Sequence, residues 1–108
     1  MSVQLPHPID VYVRQENFGD GDLAESFAAD AVVVDEGQTY VGRAAIAQWR
    51  ATAKRKYNHS VAPLELAERD GKTILKAMLF GNFPGSPVVL DLAFVIKDRE
   101  ITALEIKS

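Results

Sequence analysis

Three side chains have the chemistry of a proton-transfer site: the carboxylate of Asp35, the phenol of Tyr12 and the imidazole of His59. Asp35 follows the apolar run 31–34, which would place its carboxylate beside apolar surface. Burial of that kind disfavours the charged form and raises the pKa of a carboxylate, which makes it a better base near neutral pH. The alternative is an aspartate that hydrogen-bonds its own turn at 36–37. Asp35 is the first candidate for a general base, and both interpretations stay open.

Tyr12 and His59 are the candidate partners of Asp35. A phenol that donates a hydrogen bond stabilises a developing enolate in a site that excludes water. A histidine can act as a base or proton shuttle near neutral pH. Each also has an ordinary structural explanation, because Tyr12 lies on an amphipathic helix and His59 lies at the start of a strand.

Five further residues are candidates for binding a ligand. Four are aromatic, and the fifth is a carboxyl group inside an apolar strand, where it must be hydrogen-bonded, protonated, at an interface or in a pocket. They are Trp49, Tyr57, Phe80, Phe94 and Asp91. Asp35, Glu36 and His59 lack the usual spacing of metal ligands. Residues 81–87 lack the lysine and the following helix of a phosphate loop. We therefore predict no metal and no cofactor.

Hydrophobic periodicity predicts three helices that would help to position these side chains. The first ends near Phe18. The second is short, includes Phe27 and is capped by Asp20 or Asp22. Gly42 opens the third, whose apolar stripe is wide enough to lie across a sheet. That stripe consists of Ile46, Trp49, Ala53 and Tyr57.

Six strands are predicted, two short ones before the third helix and four longer ones after it. The strongest hairpin signal is Asp70-Gly71, between the first two of the four. Consecutive strands joined by short turns must be antiparallel, because a parallel return needs a crossover of a dozen or more residues. Helices grouped early and strands grouped late predict an α+β fold in the order α-α-β-β-α-β-β-β-β.

Composition limits the classes of partner. The chain has 108 residues, 47% apolar and 25% charged, the usual balance of one globular domain spanning residues 1–108. Its net charge of −3 argues against nucleic acid, because phosphate binding needs a concentrated basic face. The absence of cysteine excludes disulfides and thiolate catalysis. No apolar run approaches the roughly 20 residues of a membrane helix. We expect a cytoplasmic protein that binds neither nucleic acid nor membrane.

The strand at 88–96 is apolar on both faces, and only Asp91 interrupts it. A strand of this kind is usually covered on both sides. We therefore expect one face of the sheet to pack against a second copy of the chain, which gives a homodimer.

Three segments carry a resemblance to a known family: FAADAVVVDEG at 27–37, GRAAIAQW at 42–49 and GNFPGSPV at 81–88. Together they resemble the SnoaL-like and ketosteroid-isomerase-like branch of the nuclear transport factor 2-like superfamily. The third segment looks like a bacterial subgroup without an assigned activity. The resemblance implies a cystatin-like cone, in which a curved antiparallel sheet wraps around the long third helix. It also implies a mostly apolar pocket for a small organic molecule at the open end.

The resemblance also implies roles for particular residues. In the similar isomerases, an aspartate five residues after the one that ends the second helix moves the proton, and Asp30 and Asp35 have that spacing. Tyr12 lies about where those enzymes carry the tyrosine of their oxyanion hole. Their protonated acid matches Leu92 rather than Asp91, and an offset of one residue points to the opposite face. Ketosteroid isomerisation itself is therefore poorly supported.

Three functions agree with this sequence. The first is an enzyme that isomerises, cyclises or dehydrates a small apolar carbonyl compound, with Asp35 as base and Tyr12 or His59 as donor. The second is a non-catalytic domain that binds a small molecule, and the third is a structural domain whose main role is its dimer face. The first two are distinguished by whether Asp35 meets a donor across an empty cavity or is tied into its own turn.

Overall fold

Two α-helices cover one face of a six-stranded sheet in the computed structural model of the chain, which describes residues 4–18 and 22–107. Neither helix is long and apolar enough, within those residues, to cross a membrane. The elements are α1 (His7–Phe18), a 3₁₀ turn (Leu23–Glu25), β1 (Phe27–Asp35), β2 (Gln38–Val41), α2 (Arg43–Tyr57), β3 (Ser60–Arg69), β4 (Lys72–Phe80), β5 (Val88–Lys97) and β6 (Glu100–Lys107).

The sheet has the strand order β2-β1-β6-β5-β4-β3. Strands that are adjacent in the sheet and consecutive in the chain pair antiparallel, as predicted. β1 and β6 form a parallel pair, so the sheet is mixed rather than wholly antiparallel. The chain between these two strands contains α2 and four strands, which is more than the crossover that a parallel pair requires. The predicted α+β class is confirmed, as is the order of elements apart from the second helix.

Three two-residue turns determine how the hairpins pair. Both central residues of each turn have positive φ, as in type I′ turns, whose twist matches that of the flanking strands. Glycine occupies the second position in two of them, whereas Arg99 takes it in the third with φ 67°. The turns lie at 36–37, 70–71 and 98–99.

The predicted second helix is only the 3₁₀ turn Leu23–Glu25. Asp22 is its N-cap, and its Oδ1 accepts a backbone N–H from two residues further on at 2.9 Å. The alternative cap, Asp20, lies outside the described residues. Phe27 begins β1 instead of belonging to this helix, because β6 offers it a backbone partner at Ile101.

An aromatic cluster joins α1 to the sheet. The Tyr12 ring lies edge-on to Phe27, with ring centroids 5.9 Å apart, and to Phe94 at 5.4 Å. This is the preferred geometry of aromatic pairs. Phe27 and Phe94 are fully buried, as are Ile9 of α1 and Ile46 of α2. The cluster therefore determines which side of α1 faces the interior.

We predict that Phe94→Ala lowers the free energy of unfolding by about 3–5 kcal/mol, because it leaves a cavity in a packed core. Phe18→Ala is the matched control. Its side chain is 73% exposed at the end of α1, and its loss should change stability by no more than about 0.5 kcal/mol. Urea unfolding of both variants measures the difference. Equal losses of stability would contradict the packing described for α1 and β5.

Candidate functional site

A cavity of about 890 Å³ lies between α2 and the inner face of the sheet, the face that the helices cover. The first half of α2 packs on the sheet through Ile46, which is fully buried. The second half leaves space beneath it, with Trp49, Ala53 and Tyr57 at the cavity wall. The volume lies within the roughly 300–1,000 Å³ typical of small-molecule pockets. The opposite wall is apolar and consists of Val61, Ala77, Leu79, Leu90, Leu92 and Ile106.

Asp35 lies at the edge of this cavity and is half-buried. Its Oδ2 accepts a hydrogen bond from Nε1 of Trp49 at 3.1 Å. The Trp49 ring lies against Tyr40 of β2, with centroids 6.0 Å apart. The donor therefore comes from α2 and not from the turn at 36–37. A cavity with a donor beside Asp35 is the arrangement that distinguishes a site carboxylate from a turn aspartate.

Tyr12 lies on α1 and also lines the cavity. It is 3% exposed, and its ring is buried between Phe27 and Phe94. Burial raises the pKa of Tyr12 well above 10.0; the negative charges of Glu16 and Asp35 add to this effect, and the positive charge of Arg50 opposes it. Tyr12 therefore remains a neutral donor throughout the physiological pH range.

Glu16 and His59 form a buried pair that the sequence analysis did not identify. Oε2 of Glu16 and Nε2 of His59 are 2.5 Å apart, and the two side chains are 3% and 7% exposed. Both residues line the cavity. The remaining polar atoms, Oε1 of Glu16 and Nδ1 of His59, are buried without a hydrogen-bond partner in the part of the chain that the structure describes. The available signal was the spacing of Tyr12 and Glu16, which places both on one side of α1.

Two side chains hold His59 in position through its neighbours. The Asn17 amide donates to the Val61 carbonyl at 3.1 Å and accepts the Val61 N–H at 2.6 Å. Nζ of Lys54 donates to the carbonyl of Asn17 at 3.1 Å and to that of His59. The C-terminal ends of α1 and α2 are therefore both tied to the start of β3.

Of the predicted ligand-binding residues, Trp49 and Tyr57 line the cavity and Asp91 does not. Successive side chains of a strand point to opposite faces. Leu90 and Leu92 line the cavity, so Asp91 lies on the outer face of the sheet, where it is exposed opposite Lys76. Asp91 therefore does not line the cavity to which the sequence analysis assigned it, and its offset of one residue from Leu92 explains why it lies on the opposite face.

Phe80 and Phe94 also do not line the cavity. Phe80 follows the inward-facing Leu79, so alternation places it on the outer face, where it is 40% exposed. Phe94 does face inward, but at the end of the sheet that Tyr12 fills. Both assignments to the ligand site are therefore corrected.

The segment at 81–87 contributes to the mouth of the cavity. Phe83 and Pro84 line it, and the Phe83 ring lies edge-on to Tyr57 at 5.8 Å between centroids. Asp35, Glu36 and His59 do not gather as metal ligands; within residues 4–18 and 22–107 no three histidine, aspartate or glutamate side chains do so.

Several solved structures share this fold. A Sinorhizobium meliloti protein, provisionally named a polyketide cyclase, is 41% identical, covers 95% of each chain and has a TM-score of 0.90. A Catenulispora acidiphila protein with a ketosteroid isomerase-like fold is 21% identical, covering 97% of this chain and 87% of its own, with a TM-score of 0.77. A Jannaschia protein, provisionally named a SnoaL-like polyketide cyclase, is 13% identical, covering 98% and 90%, with a TM-score of 0.68. The last two show similarity of fold alone. No family model and no curated protein matches the chain.

We predict that the high pKa of Tyr12 affects stability only in alkali. Above pH 10.0 the unfolded chain loses the Tyr12 proton while the folded protein retains it, so unfolding releases a proton and stability falls as pH rises. Tyr12→Phe lacks this contribution. The free energy of unfolding of the variant should fall with pH less steeply than that of the unaltered protein. The two slopes should differ by up to about 1.4 kcal/mol per pH unit. Urea unfolding at a series of alkaline pH values measures both slopes, and identical slopes would contradict the burial of a neutral phenol.

Proposed function

The chain belongs to the SnoaL-like and ketosteroid-isomerase-like branch of the nuclear transport factor 2-like superfamily, and from this we propose that it catalyses proton transfer on a small, largely apolar carbonyl compound. The reaction class is isomerisation, cyclisation or dehydration. The S. meliloti relative named as a polyketide cyclase supports this class, since such ring closure begins with removal of a proton beside a carbonyl. The substrate would occupy the cavity beneath α2.

The observation that carries the proposal is the contact of Asp35 with Trp49 at the wall of an apolar cavity. Asp35 takes the proton from the carbon next to the carbonyl group. The indole N–H orients the carboxylate for this step. Because the donor belongs to α2 rather than to the 36–37 turn, the carboxylate is held where a bound molecule would be.

Tyr12 is the partner of Asp35 in this mechanism. Removal of the proton leaves negative charge on the carbonyl oxygen, and a neutral phenol in an apolar site stabilises it by donating a hydrogen bond. The phenol of Tyr12 has this capacity because burial keeps it protonated, whereas Nε2 of His59 already contacts Glu16. The apolar walls strengthen the interaction by excluding water.

We expect 2-tetralone, a bicyclic ketone, to bind in the cavity and to exchange the hydrogens beside its carbonyl for deuterium in heavy water. Trp49 is the one tryptophan of the chain and lines the cavity, so its fluorescence reports binding. Asp35→Asn should lower the exchange rate by about 10²–10⁴-fold while binding persists, because it removes the base. Nuclear magnetic resonance measures the exchange.

Ala77→Phe should abolish binding, because Ala77 lines the cavity and is 2% exposed. Ala67→Phe is the matched control on the exposed outer face and should bind the ketone normally. Exchange unchanged in Asp35→Asn would refute the role of Asp35. Binding without exchange in the unaltered protein would leave a non-catalytic binding domain.

We further propose that the outer face of the sheet forms a homodimer. This face carries Met78 directly opposite Val89, which is 46% exposed, and the neighbouring Phe80 is 40% exposed. Contiguous exposed apolar surface of this kind marks association sites. The dimer would leave the cavity on the other face accessible.

Sedimentation velocity at micromolar concentration should therefore give a dimer. Val89→Lys should shift the protein to monomer, because a second copy would bury an unpaired charge. Val41→Lys provides a control, since Val41 is 62% exposed on β2, at the opposite end of the sheet from β3 and β4. A monomeric unaltered protein, or equal effects of the two lysines, would exclude an interface on this face.

A further inference from the structure

The Glu16–His59 pair has no evident structural reason to be charged or polar. Burying such a pair costs desolvation, and apolar residues of similar volume usually stabilise a core as well or better. The pair also leaves Oε1 of Glu16 and Nδ1 of His59 buried without partners, which adds to the cost. Both residues line the cavity, so a molecule bound there is a candidate partner for these two atoms.

The contact determines what His59 can do. A carboxylate hydrogen-bonded to one ring nitrogen fixes the orientation and tautomer of an imidazole and stabilises its protonated form. Here the bonded nitrogen is Nε2, which leaves Nδ1 to exchange a proton. Asn17 and Lys54 hold the backbone around His59, so the ring is positioned from three elements.

The geometry points to Glu16 and His59 as a second proton-transfer centre of the cavity, with His59 as the acid–base group and Glu16 as its positioning residue. This inference rests on the proposed function, because it assumes that the cavity carries out proton transfer. It adds a centre separate from Asp35 and indicates which of the three reaction classes the site suits.

Asp35 and His59 approach the cavity from different sides. Asp35 ends β1 and His59 precedes β3, and the strands β6, β5 and β4 lie between them in the sheet. Both centres nevertheless line the same cavity as Tyr12. A molecule that fills the cavity therefore meets Tyr12 and two acid–base groups that come from separate parts of the fold.

Two separate centres suit the dehydration of a β-hydroxy carbonyl compound. Asp35 takes the proton from the carbon beside the carbonyl, and the electron pair of that C–H bond forms the carbon–carbon double bond. The C–O bond of the β-hydroxyl group breaks, and protonated His59 gives its proton to the departing oxygen, which leaves as water. Exchange with solvent then returns Asp35 to the carboxylate and His59 to the protonated form. An isomerisation, by contrast, moves one proton and needs only one such group.

The test uses 4-hydroxy-4-phenylbutan-2-one, a β-hydroxy ketone whose dehydration product absorbs in the near ultraviolet. Deuterium exchange beside its carbonyl reports the step at Asp35, and the absorbance reports loss of water. In His59→Gln we expect dehydration to fall by about 10²-fold, a much larger loss than that of exchange. His7→Gln alters the exposed second histidine and should change neither rate.

Glu16→Gln preserves the size of the side chain and tests positioning separately. In the unaltered protein, the proton between Nε2 and Glu16 should give a strongly downfield resonance, which the variant should lack. Dehydration should fall in the variant, while the His7 resonances stay unchanged and serve as the internal reference.

The outcomes separate the two proposals. No exchange by the unaltered protein would overturn the proposed function. Exchange without dehydration by the unaltered protein would overturn only the second centre. Equal losses of exchange and dehydration in His59→Gln would make the pair structural, as would a Glu16→Gln protein that lacks the downfield proton but dehydrates normally.

Discussion

The position of the Tyr12 ring between Phe27 and Phe94 is the contact on which the rest of the site depends. It fixes the rotation of α1 about its own axis, because a buried aromatic ring edge-on to two others cannot turn outward without exposing all three. Once that rotation is fixed, Glu16 must face the same way, one turn further on. Core packing and cavity geometry thus share one residue, because Tyr12 belongs to the buried core and also lines the cavity.

The cavity combines apolar walls with polar groups on opposite sides. Glu16 and Asp35 carry negative charge near Tyr12, and Arg50 carries positive charge near the same hydroxyl. Such groups cost free energy to bury and are normally retained only where they are paired or used. A buried tyrosine with a raised pKa, beside charged groups in one cavity, is typical of functional sites. The cost of keeping them there is offset by the apolar packing at the other end of the sheet.

Much of the fold could be predicted from local patterns, because its signals lie within a few residues. The apolar stripe of α2 and the Asp70-Gly71 turn each specify an element directly. Glu16 could not be found in this way, because its partner His59 is 43 residues away and the contact exists only once α1 docks against β3. Asp35 was identified from its strand, whereas the indole that binds it comes from a different element.

The errors among the predicted ligand residues have two different causes. The assignments of Phe80 and Asp91 to the ligand site depend on strand register, because a shift of one residue exchanges the two faces of the sheet. Composition alone does not determine that register. Phe94 was placed on the correct face, but the sequence does not show how far along the strand the core ends and the cavity begins. That boundary is set by where α1 crosses the sheet.

The Asn17 side chain also covers part of the exposed edge of the sheet. β3 is the last strand in the order and has no neighbour on its outer side. Unpaired backbone groups on such a strand can recruit a strand from another molecule and begin aggregation. The Asn17 amide imitates a peptide group and occupies both the N–H and the carbonyl of Val61. A bulge between Pro63 and Glu65 interrupts the regular ladder further along the same strand. The contact that holds the site in place therefore also blocks part of the exposed edge against further strand addition.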